Sequence, residues 1–475
     1  MRSLSRRNIE VHGNQLGTLQ ITEEGNLYDA PRAADGGPGN PSDGRAKSIQ
    51  IRYNLTSVVQ PTLRNKVAKM NPGSSVDRLP TSTSAYSSSS AGHGPDKRRA
   101  GFAVIALILS ASLLGVGWQQ REKQPVLPEA LGAAEFARLV GDLSEDGGYF
   151  HSDNLISNET TYLHIVHKLR ELGATGGAYI GVGPEQNFTY ISKIRPRIAF
   201  IVDIRRQAMV QQLMYKAIFH LAATRAEFLS LLLSRPLPKT GLPAANASAG
   251  DLIAFMHNLT ADDKAYQANL AEIRKLIKEG FRIQFNDSDN NGLDYIYKSF
   301  RTDGQDITYQ MGGYRSAYFP TLGDLMAGTD LQGKPGSFLA DVDDYDFVRG
   351  MQRKNLIIPV VGDFAGKKAI GAVGDYLRKA GLTVTAFYTS NVEQYLFQNG
   401  LFPGFAANVR KLPVTERSLF IRSVPARVAY SHPALRPGHM SIALLQQMSV
   451  FLQDFDGGHY QTYHDLVTTH YITAD

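Results

Sequence analysis

Three points along the chain combine residue types and spacing suited to holding a small ligand. Gly181-Val182-Gly183 ends a short apolar run, and glycines there let the backbone approach a bound molecule closely. Asp203 ends a second apolar run, about twenty residues further on, where an acid can hold ribose hydroxyls. Gly362-Asp363 closes a third apolar run. In an open α/β sheet, ligands bind outside the carboxyl ends of the strands, where strand order reverses. Three strand ends of this kind therefore predict a nucleoside site. The alternative is a tight strand-to-helix turn whose glycines serve packing alone.

The residues after the glycine turn discriminate among nucleosides. The dinucleotide fingerprint needs a third glycine where Gln186 stands, and the G-x-G-x-G form needs glycine where Glu185 stands. Pro184 suits a first helical turn. Glu185 then puts a carboxylate at the helix N-terminus, the place a pyrophosphate would take. Two anions repel there. This disfavours NAD and favours a ligand without phosphate, such as S-adenosylmethionine, whose amino and sulfonium groups are cationic. The expected contacts are Gly181 and Gly183 with the methionine moiety, Asp203 with the ribose, and Asp363 with adenine or acceptor, and Glu185 is a further cofactor-binding candidate.

A second set lies beside the first. Asp153, Asn154, Ser157, Asn158 and Glu159 precede the first core strand. Asn158 or Ser157 suits a helix cap, and Asn154 or Glu159 suits a lid over the ligand. Ser390, Asn391 and Glu393 follow another strand and either cap a helix or face substrate. Asn154, Glu159, Ser390 and Asn391 are the candidate substrate contacts.

Other chemistry is poorly served. Cysteine is absent, which removes disulfides, zinc–thiolate sites and a cysteine nucleophile. The net charge of +6 over 475 residues comes with no dense basic stripe, so nucleic acid is not an expected partner. Asp287-Ser-Asp289-Asn-Asn291-Gly292 starts like a calcium loop, but its twelfth position is Lys298, and a turn is expected. Asp341, Asp343, Asp344 and Asp346 read as a solvated loop. His459, His464 and His470 lack metal-ligand spacing, so no metal is expected. Gly362–Lys367 is one residue short of a phosphate loop, with Lys368 where Ser or Thr belongs.

The elements that must position these residues alternate. Helices are expected over Ala134–Leu143 and Thr160–Leu172, a strand over 176–183, a helix to Ile194, a strand over 197–203, and one long helix from Arg206 to about Ser234. Residues 237–350 read as an irregular insertion with one helix, Ala261–Lys278. Strands at 355–363, 382–388 and 418–424 and helices over Lys367–Ala380 and Ile442–Leu452 follow. Near-continuous apolar strands between helices predict an α/β domain over 130–475 with a doubly wound, mostly parallel, Rossmann-like sheet.

Upstream, residues 1–100 are rich in Ser, Gly, Pro and Asn and are expected to form a disordered tail, with Met70 an alternative start. Residues 101–118 contain no charge, and about 17–20 apolar residues span a bilayer as a helix. Lys97, Arg98 and Arg99 before the run favour a single-pass anchor with the body on the outer side. A signal peptide is the alternative. Residues 119–129 read as a linker.

The body resembles a family of uncharacterised bacterial proteins. The likeness rests on Ser-Glu-Asp-Gly-Gly-Tyr-Phe-His-Ser-Asp-Asn-Leu-Ile-Ser-Asn-Glu (144–159), Gly-Gly-Ala-Tyr-Ile-Gly-Val-Gly-Pro-Glu-Gln-Asn-Phe (176–188), Ile-Val-Asp-Ile-Arg-Arg (201–206) and Tyr-Thr-Ser-Asn-Val-Glu-Gln-Tyr-Leu-Phe (388–397). The core also looks like the class I methyltransferase fold. That likeness implies S-adenosylmethionine as cofactor and methyl transfer as the reaction. A non-catalytic ligand-binding or scaffold domain and an NAD-linked oxidoreductase are the alternative functions.

Overall fold

The computed structural model describes residues 127–311, 313–425 and 432–475. The expected tail at 1–100, the apolar run at 101–118 and most of the linker lie outside the described residues. Among the described residues no helix is long and apolar enough to cross a membrane.

Among the described residues eight strands form in chain order: β1 Ala178–Gly181, β2 Ile198–Asp203, β3 Gln310–Met311, β4 Tyr314–Arg315, β5 Ile357–Val361, β6 Val384–Ser390, β7 Leu419–Pro425 and β8 Ser441–Gln447. β3 and β4 make a small hairpin, and the other six form one sheet in the order β5-β2-β1-β6-β7-β8. All neighbours are parallel except β7 and β8. Every residue of β1, β2 and β5 is buried. This matches the unbroken apolar runs, because a parallel sheet carries helices on both faces.

Strand order reverses between β1 and β6. From β1 the chain moves to β2 and then β5 on one side, and from β5 it crosses to β6 and β7 on the other. Right-handed crossovers in opposite directions put the two helix groups on opposite faces. Gln186–Ile194, Arg206–Leu221 and Val342–Arg353 pack together in one group. Ala369–Lys379, Phe402–Val409 and Met448–Asp456 form the other. The predicted α/β, mostly parallel, Rossmann-like sheet is therefore the observed one.

Several element boundaries differ from the sequence reading. Ile442–Leu452 is not a helix: Ser441–Gln447 is β8, paired antiparallel with β7 along its whole length, and helix begins only at Met448. An apolar run of that length satisfies either geometry, and the open edge of β7 decides. The long helix from Arg206 breaks at Ala222, because Thr224 and Glu227 form a capping box that starts a second helix, Arg225–Leu233. Only Val166–Glu171 of the 160–172 segment is α-helical.

Among the described residues, 237–350 contain five α-helices rather than one: Ala249–His257, Asp263–Lys275, Asp287–Asp303, Leu322–Ala327 and Val342–Arg353. The calcium-like segment is a helix start, capped by Asn286, with Asp289 paired to Arg206 at 2.7 Å. The acidic run is likewise a helix start, not a loop: Asp341 caps Val342–Arg353, and Asp344 is buried against Lys193 and Arg195. Acids are favoured there because they satisfy free N–H groups and the helix dipole.

The Arg206–Leu221 helix also carries a buried lysine. Lys216 Nζ donates to the Gln352 carbonyl and lies 4.6 and 5.1 Å from the Phe136 and Phe281 ring centres. Burial pushes its ammonium well below the ordinary lysine range. Lys216→Met is expected to raise stability by about 1–3 kcal/mol near pH 6. Because the folded-state value is depressed, the cost of the lysine grows as pH falls below about 10.4 and vanishes above it. Urea unfolding at pH 6 and pH 10.5 checks this, and an equal gain at both would refute it.

Candidate functional site

All the residues chosen from sequence lie along the carboxyl edge of the sheet. Gly181 ends β1, Asp203 ends β2, Asp363 follows β5, and Ser390 ends β6. Gly362 N donates to the Asp203 carbonyl at 2.9 Å, so the second and third ends touch.

The glycine turn is held from inside. Asn187, four residues after Gly183, donates Nδ2 to the carbonyls of Val182, Gly183 and Pro184 at 2.9, 3.2 and 2.9 Å. Gln212, from the Arg206–Leu221 helix, donates Nε2 to the Gly183 carbonyl at 3.0 Å. Tyr179 donates its hydroxyl to Asn187 Oδ1 at 2.9 Å. A Cβ on Gly181 would run into Asn187 Oδ1 and Tyr179, so the close approach made there is to the protein's own side chains. Gly183 is different. Its φ is +83°, which favours glycine, and the side where a Cβ would point is open.

Glu185 is the N-cap residue of the Gln186–Ile194 helix and is buried. Its Oε1 accepts the Ser157 N–H at 3.3 Å, and its Oε2 has no hydrogen-bond partner. Burial raises its pKa to about 7, with the charge of Glu159 adding to the rise and two backbone hydrogen bonds opposing it.

Asp203 is buried in a bidentate pair with Arg205. Arg205 Nε meets Oδ1 at 3.0 Å, Nη2 meets Oδ2 at 2.7 Å, and the Arg205 N–H reaches Oδ1 at 2.9 Å. A carboxylate offers about four lone-pair positions. Arg205 uses three, so one remains on Oδ2 for a ribose hydroxyl. Asp363 Oδ1 accepts the Ala365 N–H at 2.9 Å in a turn.

The candidate substrate residues divide. Glu159 and Ser390 meet directly, and Glu159 is buried rather than facing outward as a lid residue. Its carboxylate accepts from Gln186 Nε2 at 2.6 Å, Tyr388 Oη at 2.7 Å and Ser390 Oγ. Burial pushes its carboxyl up, and these donors pull it back. Asn391 occupies the N-cap position of Val392–Gln398 without a side-chain cap bond. Ser157 does not cap a helix; it bonds Gln186 and accepts the Glu159 N–H. Asn154 has a φ of +45°, and its buried Oδ1 has no partner.

Residues 144–159 form a strap across the four strand ends. Ser144 Oγ accepts the Val361 N–H at 3.0 Å at the end of β5. Gly148 N donates to the Ile204 carbonyl at 2.7 Å past β2. Arg205 Nη1 donates to the carbonyls of Ser152 and Asp153. Gln211 Nε2 donates to the Leu155 carbonyl at 2.6 Å. Ser157 and Glu159 then reach the tips of β1 and β6.

Sequence reasoning missed Asn187, Gln212, Arg205 and Glu145. Arg205 and Asn187 left local signals, since an acid and an arginine two residues apart after a strand can pair and an amide four residues after Gly183 can reach back to the turn. Gln212 and Glu145 act through the packing of distant segments.

A six-stranded, mostly parallel sheet with a glycine turn at its switch point defines a Rossmann-like α/β domain. The family model "Domain of unknown function (DUF7790)" matches residues 155–236 and 252–473, and the chain belongs to this family. A comparison with curated proteins gave no match.

Proposed function

We propose that the domain binds a small nucleoside-like molecule with a cationic end on the turn Gly181–Glu185, S-adenosylmethionine first among such molecules, and works as a methyltransferase-type enzyme. One observation carries this reading. Three buried oxygens without partners, Asn154 Oδ1, Glu185 Oε2 and Gln212 Oε1, belong to the turn and the segments bonded to it, and all three are acceptors. An orphaned buried acceptor costs about 1–3 kcal/mol, and a donor-rich cation relieves that cost. A pyrophosphate brings only more acceptors, so the NAD-linked reading fits these residues less well.

S-adenosylmethionine supplies an electrophilic methyl group when bound. Glu185, Gln212 and Asn154 would hold its amino end. The remaining lone pair of Asp203 would take one ribose hydroxyl, and Asp363 would border the adenine or acceptor side. Methyl transfer needs in-line positioning and exclusion of water, so it requires no dedicated general base beside the turn. The strand order β5-β2-β1-β6-β7, with an antiparallel strand beside β7, supports the same reading.

A second reading is a non-catalytic ligand-binding domain, favoured by the strap that covers the carboxyl edge. The apolar run 101–118 is proposed as a single-pass anchor with the body on the outer side. An outer body would meet little S-adenosylmethionine, so a C-terminal topology reporter separates the two functions.

Calorimetry with S-adenosylmethionine tests the ligand itself. Binding is expected to tighten as pH rises through about 7 and Glu185 ionises. Glu185→Gln should weaken it by about tenfold or more at pH 8. The absence of heat from both the wild type and Glu145→Ala, a variant that removes the carboxylate bonded to the Asp363 and Lys368 N–H groups, would overturn the proposal.

A further inference from the structure

We propose that residues 144–159 are a latched gate over the ligand edge, with the Glu145 carboxylate as the latch and the loop Gly362–Lys368 as its catch. This rests on the reading of the edge as a ligand site, and the gate is tested without any ligand.

Glu145 is bound from several directions by the loop that follows β5. Its N–H donates to the Val361 carbonyl at 2.9 Å. Its Oε1 accepts the Asp363 N–H and its Oε2 the Lys368 N–H, each at 2.9 Å. Lys368 Nζ donates to the Ser144 carbonyl. The loop therefore grips a carboxylate much as a phosphate loop grips an anion, and the anion belongs to the chain. Gly366 is part of the catch: a Cβ there would overlap Glu145 Oε1 and stand 2.9 Å from the Asp363 carbonyl oxygen.

The strap is anchored unevenly. Ser152, Asp153, Leu155, Ile156, Ser157 and Glu159 are buried. Asp146 to Tyr149 are exposed. The exposed part crosses the ends of β5 and β2, held by Glu145 at one place and by Gly148 at the next. A segment with few buried apolar contacts opens at low free-energy cost. This part runs from Asp363, whose N–H Glu145 holds, to Ile204, the residue after Asp203, beside the place proposed for the nucleoside end of a ligand, so closure by Glu145 excludes the ligand. The far half remains fixed by Arg205, Glu185 and Glu159 and acts as the hinge side.

The chain has no cysteine, so one introduced thiol reports on the gate cleanly. Val361 is 1% exposed, and a Cβ on Gly147 would lie 3.4 Å from its Cγ1. Val361→Cys in the full chain, labelled with a maleimide, reads the open fraction when reclosing is fast. Glu145→Ala removes two charge-assisted hydrogen bonds and should speed labelling by about tenfold or more. Gly366→Ala, which displaces the latch from the other side, should do the same, and Glu145→Gln should fall between. Val348→Cys, in the core and away from the strap, should label equally slowly in every background. Equal Val361→Cys rates with and without Glu145, or equal acceleration at Val348→Cys, would overturn the gate. If Val361→Cys accelerates but S-adenosylmethionine gives no heat, the gate stands and the ligand reading fails.

Discussion

Glu393→Ala is expected to lower the unfolding free energy by about 3–5 kcal/mol, the usual cost of leaving a buried charge without its partner. Glu393 and Arg422 are 0% and 2% exposed at their side chains, with Arg422 Nε 2.9 Å from Glu393 Oε1. Thr389 Oγ1 donates to Glu393 Oε2 at 2.9 Å, and Arg422 Nη1 donates to Gln446 Oε1 at 2.9 Å. The guanidinium also lies 4.5 Å from the Phe420 ring centre. Burial pushes the Glu393 carboxyl up and Arg422 holds it back, so the pair depends on both members. It ties the Val392–Gln398 helix to β7 and β8, which fixes the tip of β6 where Ser390 meets Glu159. Replacing both residues, Glu393→Leu with Arg422→Met, should recover most of the loss. Urea unfolding checks both, and a single variant within about 1 kcal/mol of wild type would refute the assignment.

Glu185→Gln is expected to act in the opposite direction. The folded-state pKa of Glu185 is about 7, raised from 4.5, so its favourable contribution is complete below about 4.5 and is lost as pH rises through 7. The difference corresponds to about 3 kcal/mol at pH 8. The glutamine variant carries no such charge. It should match wild type near pH 4.5 and exceed it by up to about 3 kcal/mol at pH 8. The same change should weaken ligand binding. A residue kept for stability alone loses stability when altered, whereas a residue kept for a ligand gains stability and loses binding. Parallel pH profiles of unfolding for the two proteins would refute the buried ionised carboxylate.

Much of the sheet was legible in advance because its signal is local. Ala178–Gly181, Ile198–Asp203 and Ile357–Val361 are apolar at every position or nearly so, and the helices between them show period and stops. Ile442–Leu445 is a shorter apolar run that suits helix or strand, and only pairing with β7 distinguishes the two. The helices of 237–350 were underestimated for a different reason. Their caps, Ser248, Asp262, Asn286, Thr321 and Asp341, are the same residue types that build loops.

The candidate site was legible as a place and not as a mechanism. Gly181, Asp203, Asp363 and Ser390 are strand ends, and a parallel sheet brings such ends to one edge whatever surrounds them. What each residue does there depends on how neighbouring side chains turn, some close in the chain and some far away. Gly181 is filled by Asn187, Asp203 is paired to Arg205, and Glu159 turns inward to Tyr388 and Ser390.

From residue order alone came the α/β class, the strands, and the edge on which polar residues gather, because periodicity and apolar runs act within one element. Only the tertiary structure decided that Glu145 holds a strap across that edge, that Glu185 is buried with one oxygen unpaired, and that Gln212 reaches the glycine turn. Desolvation and hydrogen bonding between segments are properties of packing, and no window of sequence contains both partners.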